Sequence, residues 1–145
     1  MSRALLIVPA ICALAVAGCA QGGNNAQDSS ANYKGAEKLV AGTVEDLQAY
    51  GEKGEGQKIC QQLLTAKLSQ KIGGEGGPKG CTGAVNGAME QTDKSDLEVT
   101  DVTIDPKDPE KAKAVVKAKT GDKSSQTSTM ELVKESGRWK IASFG

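Results

Sequence analysis

From residue 32 to residue 91, hydrophobic residues recur every three or four positions, the spacing that places them on one face of an α-helix. This pattern predicts three helices, over residues 32–50, 58–71 and 82–91. The Gly-rich stretches 51–56 and 73–80 lie between them and are predicted to be loops, because glycine is unfavourable inside a helix.

From residue 97 onward the period changes to two, which is typical of strands with one buried face. Leu97 and Val99 share one face, Val102 and Ile104 share another, and the change of parity predicts a β-bulge near residues 100–101. The region is divided into four strands by turn residues at 105–109, 120–122 and 135–137. Strands joined by such short turns pair antiparallel, so we expect a meander.

Lysines alternate with small apolar residues over 111–119, which predicts a half-buried strand with a lysine-rich outer face. That face is either solvated, where lysines discourage edge-to-edge pairing, or rests on anionic headgroups. Taken together, the elements predict an α+β fold, in which two or three N-terminal helices pack on a curved four-stranded antiparallel sheet.

The N-terminus carries an apolar run over residues 4–17, preceded by the positive charge of Arg3. As a helix the run spans about 21 Å, short of the ~30 Å hydrocarbon core, so it fits a signal peptide better than a membrane span. It ends in VAGC, residues 16–19, which resembles the bacterial lipobox. The resemblance implies cleavage before Cys19 and lipidation of its thiol, and an ordinary secretory cleavage near residues 13–15 is the alternative.

The chain therefore divides into three predicted parts: a signal peptide over 1–18, a flexible tether over 19–31 and a folded domain over 32–145. The domain is expected outside the cytoplasm, held by lipid to the outer face of the cell membrane.

Four cysteines are present, and the lipobox resemblance implies that Cys12 leaves with the signal peptide and that Cys19 carries the lipid. Cys60 and Cys81 remain, and in an oxidising compartment we predict that they form a disulfide. Closing a loop of this length contributes about 3 kcal/mol in the chain-entropy model. A zinc site and a reactive thiol are weaker alternatives, because the chain has no histidine to complete or activate them.

Composition excludes several other kinds of site. Lys+Arg and Asp+Glu both number 18, and aromatic residues are only 3% of the chain, which argues against nucleic acid as a partner. Without histidine, a Ser-His-Asp triad is impossible, and residues 73–80 lack the Gly-Lys-Ser/Thr of a phosphate-binding loop. The neighbouring carboxylates Glu45 and Asp46 are expected to face solvent. We therefore expect no cofactor and no metal.

Three features carry a resemblance to a known family: QKICQQLLT at residues 57–65, Cys81, and LVKESGRWKI at residues 132–141. They resemble small actinobacterial lipoproteins whose folded part belongs to the nuclear transport factor 2-like superfamily. The resemblance implies a curved sheet wrapped around a helix as a cone. Superfamily members include isomerases, hydrolases, ligand binders and assembly domains, and the enzymes place an Asp, His or Tyr inside the cone.

The inward alanines of residues 111–119 leave room for an apolar cavity, with Trp139 at its mouth and Tyr50 across from it as candidate ligand-binding residues. We therefore expect a non-catalytic binding module for a small apolar ligand or an envelope partner protein. The alternative is an isomerase- or hydrolase-type enzyme with a carboxylate inside the cone, and a third hypothesis is a structural role in the envelope. An internal acid with a raised pKa beside an open pocket would favour the enzyme, and a fully packed cone would favour the structural role.

Overall fold

The computed structural model describes residues 28–91, 95–120 and 124–145. The helices come first and are α1 (Gly35–Glu52), the short α2 (Gly56–Lys58), α3 (Ala66–Gly73) and α4 (Gly77–Gln91). The strands follow and are β1 (Ser95–Ile104), β2 (Lys111–Thr120), β3 (Ser124–Glu135) and β4 (Arg138–Phe144). The predicted α+β fold, helices followed by a four-stranded antiparallel sheet, is confirmed.

The sheet is a meander in the order β1-β2-β3-β4. The pairing of β1 with β2 shifts register between Val99 and Asp101, so the predicted bulge is present. On β2 the alternation is also as predicted, with Ala112 and Ala114 buried while Lys111 and Lys113 are exposed. The turn predicted at 120–122 extends outside the described residues.

The second predicted helix, 58–71, is interrupted. After α2 the chain makes a π-helical turn, Ile59–Leu63, and Leu64 is extended. The hydroxyl of Thr65 then accepts a hydrogen bond from the N–H of Leu68 (3.2 Å) and caps the new helix α3. The extended Leu64 forms a parallel bridge with Ile141 of β4, so the interruption attaches the helices to the sheet edge.

The predicted loop over 73–80 is largely helical. A single 3₁₀ turn, Gly74–Gly76, joins α3 to α4, and Pro78 lies in the first turn of α4, a position that proline tolerates. A Cβ atom on Gly73 would lie 2.6 Å from the backbone nitrogen of Cys81, and one on Gly80 would overlap the carbonyl oxygen of Gly73. These glycines therefore serve the close packing of α3 against α4.

A disulfide joins Cys60 of the π-helical turn to Cys81 of α4, with an S–S distance of 2.03 Å and a Cα–Cα distance of 6.1 Å. Both residues are buried. The predicted pairing is confirmed, and it fastens α4 to the segment that precedes α3.

The folded part begins before residue 32, the start expected from the sequence. A 3₁₀ turn, Ser29–Asn32, follows Asp28, whose carboxylate accepts a hydrogen bond from the N–H of Ala31 (3.2 Å). Ser29 and Ser30 are buried, so the C-terminal end of the predicted tether packs on the domain. Residues 1–27, including the predicted signal peptide and Cys19, lie outside the described residues.

The outer edge of β1 is closed by side chains. The N–H of Leu97 donates to Oε1 of Gln48 (2.8 Å), and the N–H of Val99 donates to Oγ of Ser29 (3.2 Å). Gln48 is buried, and its Nε2 atom donates to Glu52 (3.0 Å). Two backbone donors of an edge strand are therefore satisfied within the chain.

The interior between α1 and the sheet is well filled. Val40 and Val44 of α1 are fully buried, as are the facing Val116, Leu132 and Ile141 of the sheet. None of the helices in the described ranges combines the length and the apolar character that a bilayer-spanning helix needs.

Candidate functional site

A surface groove of about 480 Å³ runs between α1 and the hairpin of β3 and β4. Its walls include Tyr50, from the last turn of α1, and Trp139, the second residue of β4. The structure therefore brings together the two aromatic residues that the sequence singled out. Their predicted role in ligand binding stays a prediction.

The floor and rim of the groove differ in exposure. Trp139 and Leu63 form the floor and are 5% and 6% exposed, whereas Leu39 stands on the rim and is 60% exposed. Sequence reasoning missed Leu39, which lies on the predicted first helix one position before the buried Val40. A large apolar residue on the polar side of an amphipathic helix was the signal that could have found it.

A tight turn sets the position of Trp139. Ser136 and Gly137 both have positive φ, 51° and 80°, and they join β3 to β4 as a two-residue loop of the kind that matches strand twist. Trp139 follows almost at once, so the turn directs its indole to the side of the sheet that carries α1.

Lys58 positions Tyr50. Its ammonium group lies 5.2 Å from the centroid of the tyrosine ring, close enough for a cation–π contact. The same ammonium group binds Oε1 of Glu55 at 2.7 Å. The ring of Tyr50 is therefore in contact with a charged pair.

Charged residues stand around the groove: Lys38, Glu45 and Asp46 on α1, and Arg138 on β4. Glu45 is half-buried rather than solvated, and its carboxylate accepts a hydrogen bond from the N–H of Ser30 (2.6 Å). Asp46 is exposed, as expected, yet partial burial and the neighbouring charge of Glu45 raise the pKa of its carboxyl.

A second groove, of about 450 Å³, lies near the β1–β2 turn and includes Lys111 and Lys113. Lysines of the β2 face pair with carboxylates there: Lys111 with Asp108 at 2.9 Å and Lys113 with Glu131 at 4.0 Å. Paired lysines offer less charge to anionic headgroups, which favours the solvated interpretation of this face. Within the described ranges, no cluster of metal-ligating side chains occurs.

The family model described as "Low molecular weight antigen MTB12, C-terminal domain" matches residues 65–143, more than half of the chain. The match begins at the cap of α3 and ends within β4, so it includes Trp139 and excludes α1. Among curated proteins and solved structures, the comparisons found no match.

Proposed function

The chain belongs to the family described as low molecular weight antigen MTB12, C-terminal domain, and from that premise we propose that it works outside the cytoplasm as a lipid-anchored, non-catalytic binding module. A family named for an antigen is consistent with an exported protein, and so is a disulfide. Cys19 is the proposed lipidation site. The α+β arrangement supports the finer proposal that the domain is a nuclear transport factor 2-like cone.

The groove between α1 and the β3–β4 hairpin is the observation on which the binding function depends. It has the volume of a small-molecule site, an apolar floor at Trp139 and Leu63, and a few polar groups around it. Leu39 exposes a large apolar surface at its rim, where no described residue covers it. We propose that a small apolar ligand, or the apolar side chain of an envelope partner protein, fills this groove.

A fluorescence titration tests the proposal, because Trp139 is the one tryptophan of the chain. Binding of an apolar dye such as anilinonaphthalene sulfonate in the groove should change the emission of Trp139. Replacing Leu39 with Glu should weaken binding about tenfold or more, since a buried leucine contributes ~1.5–3 kcal/mol and 1.4 kcal/mol is a factor of ten.

Phe144→Glu is the matched control, because Phe144 is also exposed and apolar but does not line the groove. It should bind the dye as the unchanged protein does. Equal losses in both variants, or dye binding without a response of Trp139, would reject the groove as the site.

Lipidation is tested separately by mass spectrometry of the mature protein from its own cells. The proposal expects an N-terminus at Cys19 that carries diacylglycerol, and its loss in Cys19→Ser. A mature protein with an unmodified thiol at this position would contradict the proposed lipid anchor. The proposal that the groove binds a ligand would not be affected by that result.

The enzyme alternative has one observation in its favour, the raised pKa of Asp46 beside an open groove. However, Asp46 lies on the exposed side of α1 and not between α1 and the sheet, where the interior is filled by apolar side chains. That packing gives some support to the structural hypothesis, but it does not account for the exposed Leu39. Binding therefore remains the proposal.

A further inference from the structure

Within the described part of the chain, the outer edge of β4 is bridged at a single place. The extended Leu64 forms its parallel bridge with Ile141, and the N–H of Thr65 donates to the carbonyl oxygen of Ile141 (2.9 Å). Before Leu64 the chain makes the π-helical turn, in which the N–H of Leu64 donates to the carbonyl oxygen of Ile59 (3.1 Å). The segment that would have continued the pairing along β4 therefore curls away from the strand.

The main-chain groups of Trp139 point to this open edge. Trp139 lies opposite Lys134 of β3, whose N–H donates away from β4, to the carbonyl oxygen of Glu110 (2.7 Å). Lys134 and Trp139 are therefore a pair without mutual hydrogen bonds, and Trp139 directs its N–H and C=O outward, as Ile141 does. Among the described residues, neither group of Trp139 has a hydrogen-bond partner, although the residue is only 5% exposed. Unpaired main-chain groups at a buried residue are unfavourable, so a bound molecule that pairs with them is favoured.

The groove between α1 and the β3–β4 hairpin opens where these two segments part. Gln62 and Leu63, just before the bridged Leu64, line it on one side. Residues 137–139, just before the bridged Ile141, line it on the other side. A molecule in this part of the groove therefore lies beside β4, in the place of the strand that the π-helical turn does not supply.

The hydrogen-bonding groups of this edge select a peptide over a purely apolar molecule. A donor and an acceptor on one residue, directed outward from a strand, match the main chain of another strand, which is how extended peptides add to sheet edges. A hydrocarbon ligand satisfies neither group of Trp139. Successive side chains of a strand alternate between its two faces, so every second side chain of an added peptide points towards α1, where Leu63 and Leu39 are apolar.

The rim of the groove carries charges of both signs. Lys38 and Arg138 are basic and Asp46 is acidic, and the ion pairs found among the described residues include none of the three. Charged side chains of either sign on a bound peptide therefore have an oppositely charged group nearby.

Resting on the proposed binding function, we propose that the groove takes an extended peptide segment of a partner protein, which adds as a strand to the outer edge of β4. The main chain of the peptide forms hydrogen bonds with the N–H and the carbonyl oxygen of Trp139. One large apolar side chain of the peptide lies against Leu63 and Leu39.

The test starts from a displayed library of short random peptides, selected on the mature protein from its own cells, held in lipid nanodiscs. Empty nanodiscs first remove the peptides that bind lipid. We expect enriched peptides that share a large apolar residue. N-methylation of one particular main-chain amide of such a peptide should weaken binding about tenfold, because it removes a donor and keeps the side chain. Leu39→Glu should also weaken binding, whereas the control Phe144→Glu should not.

Amide hydrogen exchange measured by NMR identifies the added strand directly. In the free protein, the backbone N–H of Trp139 should exchange faster than that of Lys140, which pairs with Val133 in the sheet. A bound peptide should slow the exchange at Trp139 about tenfold or more and leave Lys140 unchanged.

The dye titration separates this inference from the proposed function. If the dye changes the emission of Trp139 but no peptide is enriched, or a bound peptide leaves amide exchange at Trp139 unchanged, the added strand is wrong and the binding groove stands. If neither the dye nor any peptide binds, both proposals fall. Peptides that bind Leu39→Glu as tightly as the unchanged protein would also overturn the inference, because they would then bind elsewhere.

Discussion

At the scale of single residues, two carboxyl groups have pKa values shifted in opposite directions by their surroundings. Partial burial, and then the adjacent Glu45, raise the pKa of Asp46 above its ordinary value of 3.8. The ion pair with Lys111, and then the N–H of Glu110, lower the pKa of Asp108. The sequence predicted that Asp46 faces solvent and showed the adjacent charge of Glu45, but the partial burial of Asp46 depends on three-dimensional packing that no local pattern encodes.

Asp46→Asn should stabilise the protein slightly at about pH 7 and leave it unchanged at about pH 3, because ionisation of Asp46 opposes folding. The native carboxyl holds its proton more tightly than the unfolded one, so stability falls as pH rises from the ordinary pKa through the raised one. The gain is small, since Asp46 is exposed. Thermal unfolding of the variant across this pH range measures it.

Asp108→Asn is the comparison with the opposite sign. The lowered pKa of Asp108 contributes stability above its ordinary pKa of 3.8, and this contribution is lost as pH falls through the lowered pKa. The variant should therefore be less stable than the parent at about pH 7 and should match it in strong acid. A gain of stability for both variants at neutral pH would contradict this account.

At the scale of elements, the strands could be predicted more accurately than the helices. Period-two alternation and turn residues located β1 to β4 and the bulge after Val99. A strand with one buried face needs an apolar residue at every second position, so its pattern is visible in the sequence. The break before α3 was missed because the apolar spacing continues across it, although threonine, here Thr65, is a residue type preferred at helix N-caps. Pro78 was likewise a signal for the start of α4.

The close approach of α3 and α4 predicts different outcomes for two glycines of one helix. Gly80→Ala should destabilise the protein by about 1–3 kcal/mol, because the added Cβ overlaps the carbonyl oxygen of Gly73. Gly83 has open space around it, so Gly83→Ala should stabilise α4 by up to about 1 kcal/mol. Urea unfolding of the two variants tests the contrast, and equal effects would refute it.

The candidate site was only partly accessible to prediction, because it is built from elements far apart in sequence. Trp139 and Tyr50 were singled out as rare aromatic residues, and the fold places both on one groove. The groove itself depends on how α1 lies against the β3–β4 hairpin. That arrangement is a tertiary property, so the contact between Ser30 and Glu45 could not be foreseen, although the apolar Leu39 on the polar side of the first helix was a signal in the sequence.

At the scale of the whole molecule, the disulfide is a covalent link within the helical part of the domain. It joins residues 21 positions apart and fixes α4 to the segment before α3. The sequence predicted this pairing because only Cys60 and Cys81 fall in the predicted domain and because the lipobox-like N-terminus indicates an oxidising compartment.

Replacing both Cys60 and Cys81 with Ala should lower stability by about 3 kcal/mol, chiefly because the unfolded chain gains freedom. For a domain of this size the melting temperature should fall by about 12 °C. Reduction of the unchanged protein with dithiothreitol should produce the same shift, and the double variant should not respond to the reductant. A melting temperature unaffected by reduction would contradict the prediction.

The hydrogen bonds on the outer edge of β1 matter most where molecules are crowded. Proteins confined to a plane collide side by side. The unpaired backbone groups of an exposed edge strand can then form hydrogen bonds with a neighbouring copy, which leads to aggregation. Gln48 and Ser29 already occupy the amides of Leu97 and Val99. Over this stretch of edge, these two amides are not free to pair with a strand of a neighbouring copy, even when copies are densely packed in a plane.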